Sequence, residues 1–521
     1  MLSPNDPPGA AASPLSSPLR WVVIGLIVVV ALGTRLPAPT RVDVIGDEML
    51  HLESWRNRYR TDDILPLFRA RLEQNKKIPP AAKTYLLHWY RTNPLFQRAL
   101  MSSGHPAPTY CVLAEGIEAA THSSLLALRG PSVLFSLLAL VVAYGLGREL
   151  KDDTLGLWLA GFVAISPLPQ IYAGIGRPHA MSQLAQLSVV WLFAREARRH
   201  YASPWRLLAG ALAAQTAHWA GWALIGPLVF GELIRRYLAG STLATLARQT
   251  WWYVAGSLGL VAVFVLMTSG NSAYDANMGY RGPYRLWEYV CVASPFSHMM
   301  GLGEPWLWAA GGAFVVLIAA GLAAVFDRGY DLRVVRWPFL VALGLVCAAG
   351  VVMCAGTRHV LVYTPMPLVL SALGARKVLT PDAPGARLAV LTAVLAVFVP
   401  WSLFYAEDPY RHVLTNDPRY SEIAVDLKAG LAPGDVWITF PYFYGNPLFR
   451  WGPFPEPIQP LSLDDFHKAV AGRPADRACF VLVPQLIADS DPALASPAFK
   501  RIYGAQITLL KLPPVAKPPG G

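Results

Sequence analysis

The first long apolar run of the chain reads Trp21-Val-Val-Ile-Gly-Leu-Ile-Val-Val-Val-Ala-Leu-Gly-Thr-Arg-Leu36. Runs of this kind, each about 17–25 residues long, recur along most of the sequence and are typical of helices that cross a bilayer. Of the 521 residues, 54% are hydrophobic and only 15% are charged, whereas soluble proteins carry about a quarter charged residues. The pattern therefore predicts a mainly α, polytopic transmembrane helical bundle.

No small-residue cleavage site follows this first run, so it is predicted to be a retained span and not a removed signal peptide. Further segments along the chain have the length and hydropathy that a crossing requires. The predicted crossings are 20–37, 131–149, 154–172, 179–197, 205–218, 219–237, 250–268, 305–326, 336–355, 359–375 and 387–405.

The formal net charge is +11, and the positive residues lie mostly in short clusters between the apolar runs. Basic loops stay on the cytoplasmic side of a membrane, and a cytoplasmic N-terminus puts all of these clusters on that side. Membrane lipids are therefore the expected partners, and nucleic acid is not. The clusters are Arg195/Arg198/Arg199/Arg206, Arg235/Arg236/Arg248, Arg328/Arg333/Arg336 and Arg376/Lys377/Arg387; the outer segments are then 38–130, 173–178, 269–304 and everything after 405.

The segment that begins at His105 is harder to assign. Glu115, Glu118 and His122 make it a poor full span, so it is predicted to be re-entrant or a short helix buried against protein. If it crosses instead, the early loops change sides of the membrane, and a further crossing is needed to return the C-terminus to the outer side. The predicted count is therefore about 11–13 spans.

The chain divides into regions of different composition. Residues 1–19 are predicted to be a disordered cytoplasmic N-terminus, 20–405 the transmembrane domain and 513–521 a disordered tail. Within the transmembrane domain, 38–104 is a long first outer loop, and its segments 49–60, 64–77 and 81–92 have the spacing of amphipathic interfacial helices.

Residues 406–512 are predicted to be a small outer α/β domain. It has no glycine-rich phosphate loop, so no nucleotide cofactor is expected. The predicted helices are 422–430 and 463–471, and the predicted strands are 436–440, 478–484 and 506–512.

Two adjacent acids, Asp47 and Glu48, follow the first span and end the stretch Arg41-Val-Asp-Val-Ile-Gly-Asp-Glu48. Carboxylates at a membrane surface can hold a divalent cation or take a proton from an incoming hydroxyl. The alternative is a solvated loop, or an acidic first turn of a helix that begins at Met49.

More polar residues fall on the same predicted outer face. A histidine there can simply contact headgroups, an arginine can snorkel, and aromatic residues can form an interfacial belt. Together, however, acids, arginines and histidines on one face suit a substrate that is linked to a lipid phosphate. These residues are His105, Tyr172, Arg177, His179, His218, Tyr280, Arg281, Arg285, Arg358 and His359.

The order of these motifs resembles the polytopic GT-C glycosyltransferases, in particular those related to protein mannosyltransferases and to galacturonosyltransferases of the lipopolysaccharide core. The resemblance covers about residues 20–440. Two departures stand out, because His179 replaces the family's usual tyrosine and His105-Pro-Ala-Pro108 replaces its common His-Pro-Pro. The motifs are Asp47-Glu48, His105-Pro106, Leu128-Arg-Gly-Pro-Ser132, Tyr144-Gly-Leu-Gly-Arg-Glu-Leu150, Ser166-Pro167, Tyr172 with Arg177-Pro178-His179, and Arg358-His-Val-Leu-Val-Tyr-Thr-Pro-Met-Pro367.

The resemblance implies an inverting transfer of a sugar from a polyprenyl-phosphate donor to a lipid, glycan or protein acceptor. The enzyme would lie in the inner membrane, with its active site and its C-terminal domain facing the periplasm. Asp47 would deprotonate the acceptor hydroxyl. Glu48 would orient Asp47 or help it hold Mg²⁺ or Mn²⁺.

The resemblance implies that Arg177 and Arg358 offset the charge on the lipid phosphate and that His105 and His179 line the cavity. The interleaved tyrosines and arginines and the other polar residues of the outer face add further candidates. The donor and its phosphate would be bound by Arg177, His179, Arg358, His359, Arg281 and Arg285. The cavity would be lined by His105, Tyr172, His218 and Tyr280.

Two alternatives stay open on the sequence. The first is a non-catalytic flippase for lipid-linked sugars, although a transporter should carry ionisable groups near the bilayer midplane and often shows repeat symmetry. The second is an inactive GT-C-like binding protein, which the departures at His105 and His179 leave possible.

Overall fold

The computed structural model describes the helices, the sheet and some of the segments between them. The described residues are 18–36, 80–92, 108–198, 204–217, 222–268, 304–327, 365–379, 384–404, 420–432, 434–440, 463–474, 476–495, 497–503 and 507–514, with shorter pieces within 290–297, 336–344 and 454–460. The chain forms two compact units: the first comprises 1–39, 74–79 and 105–409, and the second comprises 40–73, 80–104 and 410–521.

The described part of the first unit is helical, and its helices overlap the predicted apolar runs, although two of them begin seven residues earlier than predicted and the run 154–172 forms two helices. One predicted crossing, 336–355, falls largely outside the described residues. The helices are α1 (Pro18–Arg35), then, after α2 of the second unit, α3 (Pro108–Thr121), α4 (Ser124–Leu150), α5 (Asp153–Ile165), α6 (Pro167–Gly174), α7 (His179–Arg198), α8 (Pro204–Ala217), α9 (Trp222–Leu238), α10 (Leu243–Thr268), α11 (Glu304–Phe326), α12 (Pro365–Val378) and α13 (Pro384–Phe404).

Four of the described helices are long and apolar enough to cross a membrane alone, and a bent pair, α5 with α6, raises this to five. The chain is therefore a multi-pass membrane protein, and the predicted mainly α, polytopic fold with a small C-terminal α/β domain is confirmed. The four helices are Pro18–Arg35, Leu126–Leu150, Pro305–Phe326 and Ala386–Leu403.

The segment around His105 that was hard to assign becomes α3 where the structure describes it. Its 14 residues extend about 21 Å, which is short of the ~30 Å that a crossing requires. Tyr110 and Ala114 on this helix are fully buried, as expected for a short helix packed against protein.

Ion pairs join several helix ends. Asp153 at the start of α5 pairs with Arg20 of α1 at 3.3 Å and with Arg148 of α4 at 2.8 Å. The neighbouring Asp152 pairs with Arg376 of α12 at 2.9 Å. The predicted alternation of crossings assigns all of these helix ends to one side of the membrane.

Helices α11 and α12 cross at very short distance through two glycines, Gly321 and Gly374. A Cβ at Gly321 would collide with the carbonyl of Leu370, and a Cβ at Gly374 would collide with that of Leu317. Small residues allow helix backbones in membranes to approach in this way.

The second unit contains α2 (Pro80–Thr92) and a C-terminal α/β domain. The domain's elements are α14 (Tyr420–Gly430), β1 (Val436–Thr439), α15 (Leu463–Ala471), β2 (Cys479–Pro484), α16 (Gln485–Ser490), a 3₁₀ turn (Pro492–Leu494), β3 (Phe499–Tyr503) and β4 (Ile507–Leu512). The other predicted interfacial helices of the first outer loop, 49–60 and 64–77, lie outside the described residues.

The four strands form one mixed sheet in the order β1-β2-β4-β3. Strand β1 runs parallel to β2, with Val436 opposite Cys479, whereas β4 is antiparallel to both β2 and β3. The β1–α15–β2 connection is a crossover of the kind that parallel strands require. Helix α14 packs Ile423 and Leu427 on Trp437 and Phe480, and α15 packs Phe466 and Val470 against Ile438 and Val481, so helices cover both faces.

Candidate functional site

A break between α5 and α6 shapes the described part of the candidate site. The two helices meet at Ser166 with a bend of 56°. Pro167 and Pro169 have no backbone N–H, so the carbonyls of Val163 and Ile165 lose their helical donors, and a proline ring also clashes with the preceding turn. The Ser-Pro motif therefore creates a kink within an apolar run.

Arg35, the last residue of α1, bonds to the carbonyls at this break. Its Nη2 donates to the carbonyl oxygen of Val163 at 3.0 Å and its Nη1 to that of Ala164 at 3.2 Å. Its Nε donates to Ser136 Oγ at 2.8 Å, and Gln170 Nε2 adds a second bond to Ala164 at 2.7 Å. Arg35 is 0% exposed, so this guanidinium acts as an internal support for the bend.

The turn after α6 is held by a second buried network. The N–H of Arg177 donates to the carbonyl of Ile175 at 2.8 Å, and Ser132 Oγ donates to the carbonyl of Arg177 at 3.1 Å. Tyr110 of α3 donates to the carbonyl of Leu128, and its hydroxyl oxygen lies 3.0 Å from Ser132 Oγ. The motif Leu128-Arg-Gly-Pro-Ser132 thus contacts the backbone of Arg177-Pro178-His179.

Three predicted site residues are buried at this turn, and two of them are in contact. Tyr172, Arg177 and His179 are each at most 2% exposed. The rings of Tyr172 and His179 meet edge to face, with centroids 4.7 Å apart and planes at 69°. A guanidinium and an imidazole on a kinked, protein-buried turn offer cationic and hydrogen-bonding groups to an anion such as a phosphate.

Nine of the predicted site residues lie outside the described residues. Among the described residues no group of three His, Cys, Asp or Glu side chains could hold a metal ion, and the two predicted metal ligands, Asp47 and Glu48, are not among them. The nine are Asp47, Glu48, His105, His218, Tyr280, Arg281, Arg285, Arg358 and His359.

The sequence interpretation missed several polar side chains around the turn. Arg35 and Arg129 are 0% exposed, although neither is among the predicted site residues. Ser182, Gln183 and Gln186 of α7 are also buried. Their positions 3, 4 and 7 residues after His179 place them on its helical face, and this spacing is a signal that the sequence did contain.

No protein-family model matches the sequence, and no curated protein matches it either. Several solved structures resemble this one. One is ArnT from Cupriavidus metallidurans bound to undecaprenyl phosphate, with 13% identity, 96% of this chain and 100% of that chain covered, and a TM-score of 0.49.

A second is the oligosaccharyltransferase of Archaeoglobus fulgidus in complex with zinc and sulfate, with 16% identity and a TM-score of 0.43. The match covers 82% of this chain but only 60% of the archaeal protein. A third is the archaeal oligosaccharyltransferase AglB from Archaeoglobus fulgidus in complex with an inhibitory peptide and a dolichol-phosphate. It gives 13% identity, coverage of 82% of this chain and 63% of that chain, and a TM-score of 0.41. At these identities the similarity assigns no residue a role.

Proposed function

We propose that this protein is an inverting glycosyltransferase of the inner membrane. It transfers a hexose or pentose from a polyprenyl-phosphate donor to a lipid, glycan or protein acceptor on the periplasmic face. The observation that carries the proposal is the buried turn on which Arg177 and His179 follow a kinked apolar run. The order of the GT-C-like motifs along the sequence supports it independently.

Arg177 acts on the leaving group. As the bond between the sugar and the phosphate oxygen breaks, negative charge grows on the lipid phosphate, and a guanidinium fixed by its surroundings stabilises that charge. The backbone of Arg177 is already held by Ser132 and by the turn at Ile175, so the backbone that carries the guanidinium need not move during the reaction. His179 contributes a further hydrogen-bonding group to the same lipid phosphate. Arg358, His359, Arg281 and Arg285 remain proposed donor-binding residues on the sequence motifs alone.

Asp47 is the proposed general base, an assignment that comes from its sequence motif. It removes the proton of the acceptor hydroxyl, which makes that oxygen a stronger nucleophile. Glu48 orients Asp47 or shares a Mg²⁺ or Mn²⁺ ion with it, because two adjacent carboxylates are suitable ligands for such ions. His105, Tyr172, His218 and Tyr280 are proposed to line the cavity.

The test is release of polyprenyl phosphate from labelled polyprenyl-phosphate sugars by the purified protein in proteoliposomes. Arg177→Ala and Asp47→Asn should each lower turnover by at least about 100-fold, because each removes a group that acts in the transition state. Arg177→Lys keeps the charge and should retain more activity than Arg177→Ala.

Arg148→Ala is the matched control, since this arginine lies on α4 and its side chain is 60% exposed; it should keep wild-type turnover. Wild-type turnover in a folded Asp47→Asn variant would contradict the base assignment. Movement of intact donor across the bilayer without consumption would indicate a flippase, and binding without either would indicate an inactive relative.

A further inference from the structure

A buried polar stripe runs along the first two turns of α7. It consists of His179, Ser182, Gln183 and Gln186, which are each at most 1% exposed. Because residues 3, 4 and 7 positions apart share one face of a helix, these side chains point in a common direction. The stripe spans about 10 Å along the helix axis.

Gln183 is the glutamine of the stripe for which neither end of the amide is hydrogen-bonded among the described residues. Gln186 Nε2 donates to Ser182 Oγ at 2.9 Å. Within the part of the chain that the structure describes, neither Nε2 nor Oε1 of Gln183 has a hydrogen-bond partner, and Oε1 of Gln186 has none. A buried amide without partners bears the full penalty of losing water, and polar groups inside membrane bundles commonly mark the path of a substrate.

The chemistry of the amide indicates the kind of ligand. A glutamine side chain offers two N–H donors and a carbonyl acceptor and carries no charge. A phosphate or carboxylate would engage only the donors, and an ammonium group only the acceptor. A hydroxyl group both donates and accepts, so a neutral polyhydroxylated ring satisfies both ends of the amide.

The position of the stripe agrees with this chemistry. It begins at His179, two residues after Arg177, the proposed phosphate ligand. In a polyprenyl-phosphate donor the sugar is bonded directly to the phosphate, so its hydroxyl groups come next to the phosphate site. We propose that Gln183, assisted by Gln186, binds hydroxyl groups of a neutral donor sugar and thereby determines donor specificity; this inference rests on the proposed function.

The first test separates ligand binding from a structural role. Gln215 of α8 is the matched control, because it is also buried but donates to Tyr253 at 2.9 Å and accepts from Ser257 at 3.0 Å. Gln215→Leu should lower the thermal midpoint of the protein in detergent, whereas Gln183→Leu should leave it unchanged or raise it. An equal loss in both variants would show that the Gln183 amide is structural and would overturn the proposal.

The second test measures stabilisation by ligands and does not depend on turnover. The probes are undecaprenyl phosphate alone and undecaprenyl phosphate carrying mannose, glucose, galactose or arabinose, with galacturonic acid as the charged comparison. At least one neutral sugar should raise the wild-type midpoint beyond the effect of undecaprenyl phosphate. Gln183→Leu should lose this additional shift but keep the response to undecaprenyl phosphate. No additional shift in the wild type, or the full shift in the variant, would overturn the proposal.

Kinetics then distinguishes this inference from the proposed function. With the preferred donor, Gln183→Leu should raise the KM at least about 10-fold, since the amide's hydrogen bonds to the donor are lost. An active wild type whose KM is unchanged in Gln183→Leu contradicts the inference and leaves the glycosyltransferase intact. A wild type that releases no polyprenyl phosphate from any donor contradicts the proposed function, while the stabilisation test still decides the role of Gln183.

Discussion

Arg35 ends the first span and donates to the backbone of another helix. Its guanidinium bonds the carbonyls of Val163 and Ala164 together with Ser136. The five N–H donors of an arginine can serve several acceptors in one plane, which a lysine cannot do. Pro167 and Pro169 cannot donate hydrogen bonds to the preceding carbonyls. Arg35 therefore supplies N–H donors at this helix break.

Arg35→Met should destabilise the protein, because it leaves the carbonyl of Val163 buried without this donor. The expected loss is about 1–3 kcal/mol in the free energy of unfolding for each buried group left unsatisfied. Denaturation of the purified variants in mixed micelles measures it. Arg148→Met should change stability by less than about 1 kcal/mol, as the arginine side chain is 60% exposed. Equal effects of the two substitutions would contradict the supporting role of Arg35.

Cys479 gives a pH prediction for the C-terminal domain. Burial raises the pKa of its thiol from 9.0 to about 11. As the pH rises, the thiol therefore loses its proton at a lower pH in the unfolded chain than in the folded one. Because of this difference, the unfolded state is favoured progressively between pH 9 and about 11. Below that window the contribution to stability is fully present.

The measurement is chemical denaturation of the protein at pH 8 and pH 11, with unfolding of this domain followed by fluorescence. The wild type should lose more stability across this interval than Cys479→Ala, which has no thiol to ionise. An identical pH dependence in the two proteins would show that the buried thiol does not contribute.

At the scale of elements, the close packing of helices α11 and α12 depends on the absence of side chains where they cross. Gly321 and Gly374 each face backbone of the other helix with no room for a methyl group. By contrast, Gly312 on the same helix α11 has open space around the position of a Cβ.

Gly321→Ala should therefore separate the two helices and lower the free energy of unfolding by about 1–3 kcal/mol or more. Gly312→Ala should be neutral or slightly stabilising, since alanine is a better helix former by about 1 kcal/mol. Denaturation in detergent compares the two variants directly. A Gly321→Ala variant as stable as Gly312→Ala would mean that the helices do not cross this closely.

At the scale of the whole molecule, the sequence assigns a sidedness to the chain. Alkaline phosphatase is active only after export, so a fusion after Gly521 should be active. A fusion within 380–383, between the last two predicted crossings, should be inactive. The basic cluster at Arg376, Lys377 and Arg387 provides the physical reason, because it resists translocation. Activity at both sites would contradict the predicted alternation.

Much of the architecture followed from local sequence signals. The helices α1, α7 and α15 begin within two residues of their predicted starts, because an apolar run or an amphipathic period defines a helix without reference to the rest of the fold. Strands β1, β2 and β4 were also predicted from local sequence signals. Strand β3 was missed: its residues Phe499–Tyr503 are mostly exposed, and only pairing with β4 identifies it.

The sequence by itself determined the membrane class of the protein, the order of its helices and the grouping of Tyr172, Arg177 and His179. These properties depend on residues that are near one another in the chain. Only the tertiary structure decided that Arg35 supports the break between α5 and α6 and that Ser132 holds the backbone of Arg177. It also decided that the buried amide of Gln183 has no hydrogen-bond partner among the described residues. Burial and hydrogen bonding depend on groups that lie far apart in sequence, and folding alone brings them together.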